Sequence, residues 1–264
     1  MDKKALVVLS GGQDSTTCLF WALKIFGEGN VHAITFDYGQ THRIEIAAAQ
    51  RVASMAKVPH EIVEVPGCLV SASPLTDPSA TLERYENAQQ MDEIIGDRRE
   101  KTFVPMRNAL FLTIAANRAE ADGIKDIVLG VCQMDNANYD DCRGVFLTAA
   151  QNYINTALGH DHRKTGEINL HAPLLMLTKA QTVLLARELP GAWEALAYSH
   201  TSYDGKYPPT DMNHSNVLRA AGFEEAGLPD PLVLRAFDEG LMPLPDTDNY
   251  RTARATDKLL KRED

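Results

Sequence analysis

The stretch Ala5-Leu6-Val7-Val8-Leu9-Ser10-Gly11-Gly12-Gln13-Asp14-Ser15 decides how this chain begins to fold. Its five apolar residues predict a buried strand, and the glycine pair followed by an apolar-periodic stretch at 18–25 predicts a sharp turn into a helix. Unpaired N–H groups at a helix start, together with the helix dipole, favour a bound anion. The layout therefore predicts a phosphate-binding loop between the first strand and the first helix.

The loop differs from the Walker type, which requires a lysine where Gln13 and Asp14 stand. Ser10, Ser15 and Thr16 add hydroxyl donors. A loop with an aspartate and no lysine suits a magnesium-bound pyrophosphate better than a γ-phosphate held by an ammonium. The simpler alternative is an ordinary strand–helix turn with an Asp or Ser cap, and adjacent glycines flanked by serines disfavour it.

Composition limits the class of protein. At 264 residues and 44% apolar content, the chain is long enough for one domain with or without an appendage. Its net charge of −10 lacks the excess of positive charge that is typical of nucleic-acid-binding proteins. The four cysteines are widely separated, which fits reduced cytosolic thiols, and no apolar run reaches the length of a membrane span. We expect a cytoplasmic protein that contacts neither membrane nor nucleic acid directly.

Strand and helix patterns alternate through the first two-thirds of the chain. Strands are predicted at 5–9, 31–36, 61–65, 126–131 and 168–171, and further helices at 44–55, 110–121, 145–158 and 180–188. This alternation predicts an α/β fold with a parallel sheet covered by helices on both faces. Ligands of such sheets bind beyond the carboxyl ends of the strands, where residues 10–15 and 37–39 fall.

Two regions depart from this alternation. The polar stretch 66–101 is predicted to be a long excursion, either a functional lid or a mobile segment. From residue 189 onward, short helices are expected. The predicted division is an α/β core at 1–188 and a C-terminal extension at 189–264 packed on it, with 251–264 either a solvated helix or a loose tail.

Several motifs carry a family resemblance. The 10–15 loop resembles the pyrophosphatase loop of ATP-dependent adenylating enzymes, a group that includes GMP synthetase, NAD synthetase and tRNA thiolases. Together with the later motifs, in this order, the chain from residue 5 to about 230 is similar to the 7-cyano-7-deazaguanine (preQ0) synthase family. Those later motifs are Phe36-Asp37-Tyr38-Gly39-Gln40, Thr102-Phe103-Val104-Pro105-Met106-Arg107-Asn108, Tyr139-Asp140-Asp141-Cys142-Arg143, Pro173-Leu174 with Thr178-Lys179, and Arg219 with Gly222-Phe223.

The resemblance implies an adenine nucleotide alpha-hydrolase-like, Rossmann-like fold and an ATP-dependent ligase of queuosine biosynthesis. Such an enzyme joins 7-carboxy-7-deazaguanine and ammonia into 7-cyano-7-deazaguanine through an adenylated carboxylate and an amide. AMP and pyrophosphate leave, and Mg2+ accompanies ATP. The resemblance also implies a homodimer.

The same resemblance implies roles for individual residues. Asp14, Arg107 and Lys179 are the candidate catalytic residues, and the two cations face the α-phosphate or the substrate carboxylate. The candidate ATP-binding residues are Leu9, Ser10, Gly11, Gly12, Gln13, Asp14, Ser15, Phe36, Asp37, Tyr38 and Gly39. Tyr139, Asp141 and Arg143 are the candidate substrate-binding residues. Two alternatives stay open: Arg107 pairs with an acid in 93–100, or Lys179 is a solvated residue at a helix start.

The chain departs from the family at its structural zinc site, which is built from four cysteines. The corresponding positions are Ser202, Thr210, Asn213 and Asn216. Hydroxyls and amides are poor zinc ligands, so we expect no structural zinc. Packing by Tyr203, Tyr207, Pro208 and Pro209 is expected to hold this segment instead. A replacement metal site built from His200, Asp204, Asp211 and His214 is the alternative.

This departure leaves the product of the reaction open. One alternative is a related adenylating enzyme that stops at the amide or attaches the deazaguanine to an amine of a protein acceptor. Another is a nucleotide-binding module without turnover. A tRNA thiolase is disfavoured by the acidic balance and by the absence of paired cysteines.

Overall fold

The computed structural model describes residues 3–41, 43–135, 137–160 and 166–260. Its centre is a sheet of five strands in the order β3-β2-β1-β4-β5, and all neighbouring pairs are parallel. The strands are β1 (Ala5–Val8), β2 (Val31–Asp37), β3 (His60–Glu64), β4 (Asp126–Leu129) and β5 (Asn169–His171). The predicted parallel sheet is therefore confirmed, and each predicted strand is present with its bounds shifted by one or two residues.

Helices cover both faces of this sheet. Up to residue 196 the described residues contain α1 (Gln13–Phe26), α2 (Ile44–Ala56), α3 (Ala88–Ile95), α4 (Arg107–Ala121), α5 (Gly144–Leu158), α6 (Lys179–Glu188) and α7 (Ala192–Leu196). Side chains alternate between the two faces of β1. Ala5 and Val7 lie in one apolar cluster with α1, α2 and α6, whereas Leu6 lies in another with α4 and α5.

The excursion at 66–101 contains a helix that the sequence analysis missed. The side chain of Asn87 caps α3 by accepting from the Gln90 N–H. Met91 and Ile95 of α3 pack with Tyr85 and with Val217 in a small apolar cluster of their own. This part of the excursion is therefore folded against the C-terminal region.

The C-terminal region contains α8 (His214–Glu225), α9 (Pro231–Asp238) and α10 (Arg251–Leu260). Residues 261–264, the end of the predicted tail, lie outside the described residues. Phe223 of α8 and Leu196 of α7 belong to the same core as β1, so this region packs on the sheet layer. The boundary at 188/189 stays a prediction. Among the described residues, no helix combines the length and the apolar character needed to cross a bilayer.

Candidate active site

A cleft opens where β1, β2 and β4 end, at the edge of the sheet where parallel α/β folds bind ligands. Its wall includes the loop after β1, the start of α4, the segment after β4, Lys179 of α6 and the C-terminal segment at 200–219. Most of the candidate site residues, which are far apart in the sequence, thus meet around one space.

The loop after β1 has the conformation expected of an anion site. Gly11 has φ +88°, and a Cβ there would lie 2.3 Å from the Glu45 carbonyl oxygen, so only glycine fits. Ser10 and Ser15 hold the turn: the two hydroxyls are 3.0 Å apart, and the Ser10 N–H donates to Ser15 Oγ at 3.1 Å. Gly12 caps α1 without any side-chain bond, which leaves the first N–H groups of α1 for a ligand.

A buried ion cluster lies beside this loop. Lys179 Nζ donates to Asp14 Oδ2 at 2.8 Å and to Asp135 Oδ2 at 3.0 Å. Burial alone would lower the pKa of Lys179, but the carboxylates of Asp135 and Asp14 outweigh it and raise the pKa above its ordinary value. For Asp14, burial raises the pKa and the Lys179 ammonium opposes the rise. The pairing shows that Lys179 is not a solvated residue.

Two features of the chain place the Lys179 ammonium between Asp14 and Asp135. Thr178 and Gln181 form a capping box, which fixes Lys179 as the first residue of α6. Gly222 of α8 leaves room for the lysine stem, because a Cβ on Gly222 would lie 2.4 Å from Lys179 Cγ.

A second cation, Arg107, also lines the cleft, at the first turn of α4. Its strongest electrostatic neighbours are Tyr38, Tyr139, Tyr203 and Asp141, rather than an acid in 93–100. The guanidinium donates to the Tyr38 hydroxyl. Burial raises the pKa of all three tyrosines, so they are neutral phenols around a guanidinium. This arrangement suits an anionic, planar ligand.

The structure brings most of the predicted residues into the cleft wall, but not all of them. Those in the wall are Leu9, Ser10, Gly12, Gln13, Asp14, Ser15, Phe36, Tyr38, Arg107, Tyr139, Arg143 and Lys179. Gly11, Asp37, Gly39 and Asp141 are not among the residues that line it. Asp37 contacts the Arg43 guanidinium and accepts from the Gly39 N–H, and Asp141 accepts from the Asn108 N–H at 3.3 Å. These contacts shape the turns that surround the cleft.

Several cleft-wall residues were not predicted to bind ATP or substrate, and three of them carry polar groups into the site: Asp135, Tyr203, expected only as packing, and His214, named only in the alternative metal site. Asp135 follows β4 at the ligand-binding edge, and that position was the available signal. His214 Nε2 is buried and has no hydrogen-bond partner among the described residues. No sequence signal distinguishes such a histidine from an exposed one.

Mg2+ fits the acidic side of the cleft. Asp14 Oδ1 is buried and has no hydrogen-bond partner among the described residues, whereas Oδ2 is occupied by Lys179. Mg2+ accepts one or two carboxylates completed by phosphate oxygens and waters, and Asp14 with Asp135 supplies that donor set. Within the described ranges, no cluster of three or more His, Cys, Asp or Glu side chains is arranged to hold a metal ion by itself.

Comparison with known proteins places the chain in a family. The model of the family described as "Queuosine biosynthesis protein QueC" matches residues 4–227. The chain belongs to this family. Two members, both named 7-cyano-7-deazaguanine synthase, are similar over most of their length. The Chromobacterium violaceum protein is 48% identical over 89% of this chain and 94% of its own. The Laribacter hongkongensis protein is 49% identical over 88% of this chain and 94% of its own.

Two solved structures show a more distant similarity to this QueC family member. A predicted subunit of a tRNA methyltransferase from Methanocaldococcus jannaschii is 16% identical with a TM-score of 0.43, covering 81% of this chain and 96% of its own. NMN synthetase from Francisella tularensis is 14% identical with a TM-score of 0.40, covering 93% of this chain and 81% of its own. The family model and the two relatives named as synthases, rather than these structures, show that the protein is an enzyme of the QueC family.

Proposed function

We propose that the protein is a 7-cyano-7-deazaguanine synthase, an ATP-dependent C–N ligase that uses 7-carboxy-7-deazaguanine and ammonia. The observation that supports this most directly is one cleft lined by two buried cations, Lys179 beside the loop after β1 and Arg107 among tyrosines. One cation suits the phosphates of ATP and the other suits the carboxylate of a planar heterocycle.

The chemistry needs activation because a carboxylate would have to expel oxide. A carboxylate oxygen attacks the α-phosphorus of ATP, and pyrophosphate leaves. Ammonia then attacks the acyl carbon, AMP leaves with that oxygen, and the nitrogen loses a proton to give the amide. In a second cycle the amide oxygen attacks another ATP, pyrophosphate leaves, and loss of AMP with two N–H protons gives the nitrile.

The chain's own residues hold and orient these groups. The first N–H groups of α1 with Ser10 and Ser15 face the departing pyrophosphate, and Lys179 neutralises its charge. Mg2+, held by Asp14 and Asp135, would shield the phosphate oxygens. Arg107 orients the carboxylate, and Tyr139 and Arg143 border the heterocycle. Burial raises the pKa of the Cys142 thiol to about 12, and the reaction as written requires no protein nucleophile.

Purified protein with ATP, Mg2+, ammonium and the 7-carboxy compound tests this proposal, with products followed by mass spectrometry. The expected result is nitrile with two AMP and two pyrophosphate per molecule. Amide as the end product would contradict the nitrile, and transfer to a protein amine would show a conjugating enzyme. ATP binding without pyrophosphate release would leave a nucleotide-binding module. Sedimentation tests the proposed homodimer, and fractionation of the source cells tests a cytoplasmic location.

A further inference from the structure

The four positions that carry the family's zinc cysteines do not fit a metal in this chain. Ser202, Asn213 and Asn216 are buried, whereas Thr210 is exposed. The amide nitrogens of Asn213 and Asn216 both donate to Ser202 Oγ, at 3.2 and 2.8 Å. Their N–H groups therefore point at the place where a cation would have to lie, and they repel it.

Neighbouring contacts fix the orientation of both amides. Asn213 Oδ1 accepts from the Asn216 N–H at 3.2 Å as the cap of α8, so its nitrogen must face Ser202. Asn216 Nδ2 also donates to the Asp211 carbonyl oxygen at 2.8 Å. A flipped amide would break these bonds in either residue.

Two aspartates complete the arrangement. Ser202 Oγ donates to Asp204 Oδ1 at 2.6 Å. Asp211 accepts from Asn213 Nδ2 at 3.2 Å and pairs with Arg84 Nε at 2.8 Å. We call Ser202, Asn213, Asn216, Asp204 and Asp211 the Ser202 centre. Packing by the nearby tyrosines and prolines was the expectation for this segment, and it is incomplete, because those side chains are half-buried while the hydrogen-bonded residues form the interior.

The Ser202 centre lies directly behind the cleft wall. Residues 200, 201 and 203, on both sides of Ser202, all line the cleft. The His200 N–H donates to the Gly11 carbonyl oxygen at 2.8 Å, and Ser215 Oγ donates to the Thr201 carbonyl oxygen at 2.6 Å. Tyr203 faces Arg107. The position of Ser202 thus sets both a contact to the phosphate loop and a contact to the second cation.

We propose that the Ser202 centre is a metal-free anchor that positions His200 against the phosphate loop and Tyr203 against Arg107. Its members are positioning residues, and their effect on turnover rests on the proposed function. The Ser202 centre does the work of a metal site with hydrogen bonds among hydroxyl, amide and carboxylate groups, so zinc neither binds there nor stabilises the protein.

The test compares Asn213→Ala with Asn155→Ala in the full-length protein. Asn155 is a matched control because it is a buried amide with bonds to the Gln151 and Ile168 backbones, away from the cleft. Both variants are expected to lower the melting temperature. Only Asn213→Ala should speed hydrogen exchange at the His200 amide. Only this variant should also raise the KM for ATP, by about tenfold or more, which corresponds to about 1.4 kcal/mol. Asn216→Ala, which loses two donated bonds, serves if Asn213→Ala does not fold.

Metal analysis provides a second test of the Ser202 centre, which does not depend on activity. The parent protein should contain no zinc after purification, and a zinc chelator should leave its melting temperature unchanged. The variant S202C/T210C/N213C/N216C should bind one zinc and become sensitive to the chelator. Stoichiometric zinc in the parent, or equal hydrogen exchange at the His200 amide in Asn213→Ala and Asn155→Ala, would overturn the proposal. Failure of the synthase assay alone would overturn only the proposed function. Hydrogen exchange at the His200 amide and the zinc content would still test the Ser202 centre, because neither measurement depends on activity.

Discussion

Gly222→Ala is expected to damage catalysis far more than stability. Alanine is a better helix former than glycine by about 1 kcal/mol, whereas overpacking costs about 1–3 kcal/mol. The free energy of unfolding should therefore fall by about 2 kcal/mol at most, a few degrees in melting temperature. The new Cβ would lie 2.4 Å from Lys179 Cγ and 2.9 Å from Lys179 Cβ, so the lysine stem must move. A displacement of about 1 Å in a positioned group can cost about a hundredfold in rate.

The assay for Gly222→Ala is pyrophosphate release under saturating ATP, with thermal unfolding measured on the same sample. Gly144→Ala is the matched control, because Gly144 is also helical and its added Cβ would meet Leu175 Cδ2 at an ordinary 3.5 Å. If Gly222 acts through Lys179, Gly222→Ala should add little to the rate loss of Lys179→Ala. A folded Gly222→Ala enzyme with a parental rate would refute the packing argument.

Three further outcomes follow from the site. Asp14→Asn should reduce pyrophosphate release by about a hundredfold or more, because it weakens both the Lys179 pair and the magnesium donor set; a parental rate would exclude Asp14 from the site. Arg107→Lys should raise KM for the carboxylate substrate by about tenfold or more, since lysine lacks the planar fork, whereas the control Arg118→Lys, at an exposed ion pair, should not. Burial lowers the pKa of His214 in the folded protein. As the pH drops below about 6.5, this histidine becomes protonated in the unfolded chain first, so the free energy of unfolding decreases as the pH decreases. His214→Gln should make the drop in melting temperature between pH 7.5 and 5.5 shallower, and equal slopes would contradict it.

Local patterns in the sequence were enough to predict the sheet and the glycine turn between β1 and α1. Alternation of apolar residues and the Gly11-Gly12 pair act over neighbouring positions, so the sequence displays them directly. The helix at 88–95 was missed because its stretch is polar and it becomes stable by packing on α8. Tertiary contacts of this kind have no periodic signal.

The candidate site, like the fold, was predictable only where local motifs carried it. Asp14 and Lys179 were predictable from motifs, but their 2.8 Å contact joins residues far apart in the chain. Asp135 completes that cluster and belongs to no motif used in the prediction. The loss of the four cysteines was visible at once, whereas the convergence of Asn213 and Asn216 on Ser202 depends on how the segment folds back on itself.

Transfer of oxygen from substrate to AMP tests the adenylation step most directly. 7-Carboxy-7-deazaguanine labelled with 18O in its carboxylate is incubated with ATP, Mg2+ and ammonium. The 18O content of the AMP and of the pyrophosphate is then measured by mass spectrometry. Attack of the carboxylate on the α-phosphorus predicts 18O in AMP and none in pyrophosphate. Label in inorganic phosphate, or unlabelled AMP alongside product, would contradict adenylation of the carboxylate at this cleft.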